Sequence, residues 1–220
     1  MAYRRTHGVV RRLAARRAAI LAAARAIAAE SGMDAVQIAP VAERANIAAG
    51  TVYRYFPSKS ELVAELVGEA AQAQLATVRR AASAAPGPLS ALAATVMAIA
   101  AAALANRGFA RTLMTEPVDA VMATPTLASR QAIVGEVALR MDAAARAGHL
   151  PAQDFELTAA AVVGGLYEAL AGPLGPAGLD EVARRREAVQ NAALLALRAM
   201  GVVDARARGL VAQTRMDEPR

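Results

Sequence analysis

Residues 50–59, Gly-Thr-Val-Tyr-Arg-Tyr-Phe-Pro-Ser-Lys, concentrate the groups of this chain that could hold a polyanion. Three of its seven Phe and Tyr residues fall within four positions, and Lys59 is its only lysine. Gly50 lets backbone approach a phosphate. Thr51 and the hydroxyls of Tyr53 and Tyr55 can bond to phosphate oxygens or base edges, and tyrosine rings can touch a thymine methyl. Lys59 brings an ammonium to the first turn of a helix, whose free N–H groups already favour anions. Tyr55 and Phe56 can equally be core residues, and for Phe56 that reading is preferred. Lys59 can also be an ordinary helix-start residue.

The elements that must position these groups are short. Ile38, Val41, Ala42 and Ala45 recur at i, i+3, i+4 and i+7, which predicts a helix with Pro40 in its first turn, where proline is tolerated. Asn46 can adopt the left-handed conformation that ends a helix. A second short helix is expected over about Ala49–Phe56, closed by Pro57, with Ser58 capping a fourth helix that runs to about Ala84. Two short helices joined at Asn46-Ile47-Ala48 make a helix-turn-helix, whose second helix can enter a major groove. Ile38, Val41, Ala45, Ile47, Val52 and Phe56 would be its small core.

Upstream, a helix is expected from about Arg11 to Ser31, stopped by Gly32. Downstream, Pro86-Gly87-Pro88 breaks the chain, and apolar helical stretches follow at about Leu89–Asn106, Phe109–Thr115 and Leu127–Ala147. An irregular stretch separates the last two around Val118–Ala123. Further helices are expected at about Asp154–Ala171 and Asp180–Met200, and residues 201–220 read as a flexible tail. Alanine and leucine abundance favours helix throughout, so the expected class is all-α with about nine helices. The expected division is 1–58 for the helix-turn-helix domain with its basic arm and 59–200 for a second helical domain.

The net charge of +6 is placed unevenly. Residues 1–60 hold ten basic and three acidic residues, a net of +7, so the rest of the chain carries −1. A basic segment on a near-neutral body suggests a polyanionic partner, although a solvated arginine-rich helix accounts for charge alone equally well. Arg4, Arg5, Arg11 and Arg12 could reach flanking phosphates as an arm or be merely solvated. The chain has no cysteine, which excludes disulfides, thiolate metal sites and cysteine nucleophiles and fits a reducing cytoplasm. The longest apolar run, Ala91–Ala105, contains Thr95 and falls short of the roughly 20 residues of a membrane span. No membrane partner, cofactor or metal is expected.

The stretch GMDAVQIAPVAERANIAAGTVYRYFPSKSELV closely resembles the DNA-binding domain of the TetR (tetracycline repressor) family. The likeness lies in the brace helix, the Asn46-Ile47-Ala48 turn, the run Gly50-Thr51-Val52-Tyr53-Arg54-Tyr55-Phe56, then Lys59 and Leu62. With the first helix it covers roughly residues 11–66. Carried over by position, the resemblance implies DNA contacts at Gln37, Ala49, Gly50, Thr51, Tyr53, Arg54, Tyr55 and Lys59. Gln37 departs from the family, which often has Thr or Ser there to cap the brace helix and touch phosphate.

The resemblance further implies a dimeric regulator on a palindromic operator in double-stranded DNA, most often a repressor released by a small molecule. Residues from about 67 onward would then build a helical pocket and a dimer seam. Pocket candidates are Met97, Phe109, Met114, Met122, Met141 and Tyr167, with Arg111, Glu116 and His149 as possible polar anchors. Seam candidates are Ala160, Val163 and Gly164 on one helix and Val189, Ala192, Ala193 and Ala196 on the next. The same stripes could be an intrachain core, and sequence does not separate the two. An enzyme is disfavoured by the absence of cysteine, by only two histidines and by the lack of a phosphate-cradling glycine loop. A small-molecule-binding protein that uses the helix-turn-helix for protein contacts is the other alternative.

Overall fold

The computed structural model describes residues 7–105, 107, 111, 120–179 and 181–214. Among the described residues the chain forms nine α-helices and no strand. They are α1 (His7–Ser31), α2 (Ile38–Arg44), α3 (Ala49–Tyr55), α4 (Lys59–Ser83), α5 (Pro88–Ala105), α6 (Ala120–Arg146), α7 (Phe155–Leu170), α8 (Val182–Ala199) and α9 (Asp204–Gln213). The expected all-α class is what the chain adopts.

The helix boundaries follow local chemistry. Asp154 caps α7 by accepting the Leu157 N–H at 3.0 Å, and Pro88 opens α5, where its missing N–H costs nothing. Gly148, with φ 74°, closes α6 in the left-handed region, which lets His149 N–H reach Ala144 O at 2.9 Å. Ser58 Oγ accepts the Glu61 N–H at 3.1 Å, so α4 starts where the sequence predicts.

The chain divides into two compact units, Met1–Glu69 with Val118–Thr126 and Ala70–Pro117 with Leu127–Arg220. The division falls inside α4, eleven residues later than the boundary expected after Ser58. The cause is local: the first turns of α4 bury Leu62, Val63, Leu66 and Val67, and Glu65 and Glu69 are ion-paired to Arg17 and Arg25 of α1.

In the second unit α5 is the central helix, packed by α7, α8 and α9. Leu92, Val96, Ile99 and Ala100 of α5 are fully enclosed, with Val137 and Met141 of α6, Leu166 of α7 and Leu197 of α8 in the same core. By length and composition α5 is the one helix among the described residues that could cross a membrane, but 67 % of it is buried inside the chain. Apolar character here reflects a core position.

Two expectations are corrected. The stretch around Val118–Ala123 was expected to be irregular, yet α6 begins at Ala120 and runs through Pro125, which forgoes one backbone hydrogen bond near the helix start. The tail was expected to be flexible from 201, yet α9 occupies Asp204–Gln213. Ala207 and Val211, one turn apart, and Val202 before them join the core. An apolar stripe of only two residues per helix is too short to register as a period. The helix expected at Phe109–Thr115 and the last residues, 215–220, lie outside the described residues.

Candidate nucleic-acid interface

The α2–turn–α3 segment is built as a pair of braced helices. Ala45 ends α2, and Asn46 stands at φ 53°, the one left-handed non-glycine among the described residues. That conformation lets Ile47 N–H reach back to Ala42 O and Asn46 N–H to Glu43 O, both at 3.0 Å. These bonds satisfy carbonyls that the helix end leaves open and set the angle at which α3 departs. Ile38, Val41, Ala42, Val52 and Phe56 are buried between the elements, while Ala45 and Ile47 are half-buried.

With Val52 and Phe56 inward, the other residues of α3 are turned away from the core. Ala49, Gly50, Tyr53 and Arg54 are exposed, Tyr53 at 52 %, and Thr51 and Tyr55 are half-buried. The Arg54 guanidinium lies 5.9 Å from the centre of the Tyr55 ring, a cation–π distance that holds both side chains on one side of the helix. Lys59 is exposed at the first residue of α4. A Cβ built on Gly50 would meet nothing within 4 Å, and its φ is not positive. Neither packing nor backbone conformation within the chain calls for glycine at this position.

Gln37 precedes α2 in an extended conformation without capping it through its side chain. Its amide instead donates to Asp34 O at 3.0 Å. The exposed side chain is thus engaged along the backbone, as the departure from Thr or Ser foreshadows.

Charge in this unit is sorted by ion pairing. Arg17 pairs with Glu65, which pulls the Glu65 carboxyl below its ordinary range through that hydrogen bond, and Arg17 also stacks 5.0 Å over the Phe56 ring. Arg25 pairs with Glu69, and Arg44 with Glu30. Arg4 and Arg5 lie outside the described residues.

The expected pocket residues separate similarly. Met97 and Met141 are enclosed in the second unit's core. Tyr167 is half-buried, and its phenol accepts a hydrogen bond from Gln74 Nε2 of α4 at 2.8 Å, a partner that sequence did not suggest. Burial raises the Tyr167 pKa, keeping the phenol neutral. Arg111 is exposed and His149 half-buried. Phe109, Met114, Glu116 and the side chain of Met122 lie outside the described residues. Thr95, on α5, is fully buried and its hydroxyl has no hydrogen-bond partner. That hydroxyl is a further candidate that sequence noticed only as an interruption in an apolar run.

For the seam, Ala160 and Gly164 are exposed and Ala192 is half-buried. Val163, Val189, Ala193 and Ala196 are buried in the chain's own core, the alternative that the sequence left open beside a seam. The free apolar surface lies on the opposite faces. On α7 it comprises Leu157 (67 % exposed), Ala161, Gly164 and Gly165, and on α8 it includes Leu195 (65 % exposed).

Comparison with known proteins is consistent with this architecture. The sequence model of the family described as bacterial regulatory proteins, tetR family, matches residues 20–66. The HTH-type transcriptional repressor KstR of Mycolicibacterium smegmatis is 55 % identical over 53 residues, which is 24 % of this chain and 26 % of that protein. KstR of Mycobacterium tuberculosis is 53 % identical over 53 residues, 24 % of each chain. The match thus spans about a quarter of the length of these relatives. Over almost the whole chain the fold is similar to RolR in complex with resorcinol, with a TM-score of 0.68, 22 % identity and coverage of 94 % of this chain and 98 % of that one. It is also similar to the fatty acid degradation regulator FadR of Bacillus halodurans, with a TM-score of 0.69, 18 % identity and coverage of 86 % and 97 %. KstR and FadR are regulators, not enzymes.

Proposed function

We propose that this chain, a TetR-family regulator by its N-terminal domain and its fold, is a homodimeric transcriptional repressor that a small molecule releases from a palindromic operator. The observation that carries the reading is the outward face of α3: Val52 and Phe56 are buried beneath it, while Ala49, Gly50, Tyr53 and Arg54 are exposed. Gly50, in the first turn of α3, presents bare backbone on that face, and nothing of the chain lies within 4 Å of where a Cβ would stand. Such a bare stretch lets the backbone lie against a phosphate. Exposed Tyr53, Arg54 and Lys59 and half-buried Thr51 and Tyr55 are the donors such a contact needs.

The dimer reading rests on the apolar and small residues that α7 and α8 leave exposed. Gly164 and Gly165 sit in the interior of α7, exposed, and a Cβ on either would meet nothing within 4 Å. Close approach by a second copy's helix gives them a purpose, and exposed Leu157 and Leu195 supply apolar area. A dimer presents two α3 helices to half-sites about one helical turn apart. An effector acts by favouring a dimer whose spacing no longer fits. The effector is a small apolar or amphipathic molecule, in keeping with the enclosed apolar side chains of α5 and α6 and two polar groups, the Thr95 hydroxyl and the Tyr167 phenol. The resorcinol bound to RolR, an apolar ring with polar ends, is of that kind. Binding chromosomal DNA puts the protein in the cytoplasm.

The test is a gel-shift titration of the purified protein on palindromes from the DNA upstream of its own gene. Saturable, salt-sensitive binding to one palindrome over scrambled DNA is expected. Equal affinity for scrambled DNA would leave no regulator of defined genes.

A further inference from the structure

The sorting of charge in the first unit leaves one group of arginines unaccounted for. Arg17, Arg25 and Arg44 are neutralised by carboxylates of the chain, and Arg54 and Lys59 belong to the α3–α4 surface. Arg11, Arg12 and Arg16 remain, all exposed on the first turns of α1, with no ion pair or hydrogen bond to any described residue. Between Gly8 and Ala19 no residue of α1 is buried; the buried face begins at Ile20. At 1.5 Å per residue, α1 therefore carries about 18 Å of basic helix ahead of its buried portion.

Local physics argues against such a helix in isolation. Arg11 and Arg12 lie just beyond the first turn of α1, which holds no acidic residue to pair with them. Arg12 and Arg16 are a like-charged i,i+4 pair, which is also unfavourable. Exposed Ala14, Ala15, Ala18 and Ala19 supply the propensity that keeps the segment helical. Cations gathered without a partner inside the chain point to one outside it that supplies the missing negative charge.

The position of the group identifies that partner. Arg17 stacks on Phe56, the residue that follows α3, so Arg16 and Arg12 stand within about one and a half turns of the place where α1 meets the end of the recognition helix. A membrane surface fits less well, because the exposed neighbours are alanines and Val10 is the only exposed large hydrophobic of α1. We infer that Arg11, Arg12 and Arg16 form a phosphate-binding prong on α1 that grips the DNA backbone beside the segment read by α3. This rests on the DNA-binding reading above. Guanidinium groups suit the task because they meet a phosphate with two parallel donors. The prong supplies affinity and positioning without base readout.

The experiment compares the full-length protein with its Arg11→Gln/Arg12→Gln/Arg16→Gln variant on operator and scrambled DNA across a salt series. Each lost phosphate contact flattens the dependence of log K on log salt by about 0.9, so the variant is expected to be shallower by nearly 3 per subunit on both DNAs. The ratio of operator to scrambled affinity should stay within about twofold. Arg25→Gln, which removes an arginine already paired, should leave the slope unchanged, and thermal melts show whether each variant is folded. An unchanged slope in a folded triple variant overturns the prong. A collapse of the operator-to-scrambled ratio also overturns it, because the arginines would then read bases. Loss of binding to anionic vesicles with an intact DNA slope overturns it in favour of a membrane. A wild-type protein that binds scrambled DNA but prefers no operator sinks the regulator reading, while the slope comparison still decides the prong.

Discussion

Gly50→Ala separates folding from function in one substitution. The added Cβ meets no atom of the chain within 4 Å, and the residue is exposed in the first turn of α3 with ordinary helical backbone. The change should therefore stabilise the protein by about 0.5–1 kcal/mol, the difference between glycine and alanine in a helix. For a chain of this size that raises the melting temperature by about 1–4 °C. The same methyl should hold the α3 backbone off a phosphate and weaken the charge-assisted bonds there. Such bonds contribute about 1.5–3 kcal/mol, so operator affinity should fall roughly ten- to hundredfold. Thermal denaturation and a fluorescence-anisotropy titration on one preparation read both quantities. A more stable variant with undiminished DNA affinity would refute the close-approach reading. A destabilised variant would refute the claim that the space around Gly50 is open.

Three further outcomes are expected. Thr51→Ala and Tyr53→Ala, which remove partly or largely exposed side chains, should reduce the preference for operator over scrambled DNA without lowering the melting temperature by more than about 1–2 °C. Glu136→Gln should cost about 1–3 kcal/mol in denaturant titrations at neutral pH, since the nearly enclosed carboxylate accepts from Arg79 Nε at 2.9 Å and Arg140 Nε at 3.0 Å. Burial works to raise the Glu136 pKa, but the two arginine hydrogen bonds outweigh it and hold it below the usual 4.5. The wild type's advantage over Glu136→Gln should thus be complete above about pH 4.5 and fade as the pH falls through the lowered value; an advantage constant down to pH 3 would contradict this. Thr95→Val should stabilise the protein by about 1 kcal/mol, because it removes a buried hydroxyl without a partner. It should also weaken any effector whose polar end reaches that hydroxyl, as isothermal titration would read.

The N-terminal unit was legible because its signals are local. A left-handed Asn46, a capping Ser58 and a Pro40 confined to the first turn of α2 act within four or five residues of chain, and each is found where sequence places it. Legibility ended where the deciding contacts are distant in sequence. The stripe of Val163, Val189, Ala193 and Ala196 is apolar, but periodicity defines a face and not what covers it; here the four residues are buried in the chain's own core. Gln74 could not be matched to Tyr167, 93 residues away, nor Arg79 to Glu136, 57 away. Gly50, Gly164 and Gly165 read alike in sequence as helix-weakening residues. Only the structure shows that each has open space where a Cβ would stand.

The reliance on arginine elsewhere gives Lys59 a second significance. It is the only lysine and stands exposed at the first residue of α4, two residues before the N–H that Ser58 caps. Arginine does not react with acylating reagents, so a single side-chain amine answers to them. Modification at that atom removes one positive charge beside α3 and leaves every arginine of the folded chain untouched. The protein thus carries a built-in reporter: the acylation rate of Lys59, read by mass spectrometry of the peptide that contains it and so apart from the α-amine, measures how much of the α3–α4 surface is covered at any moment.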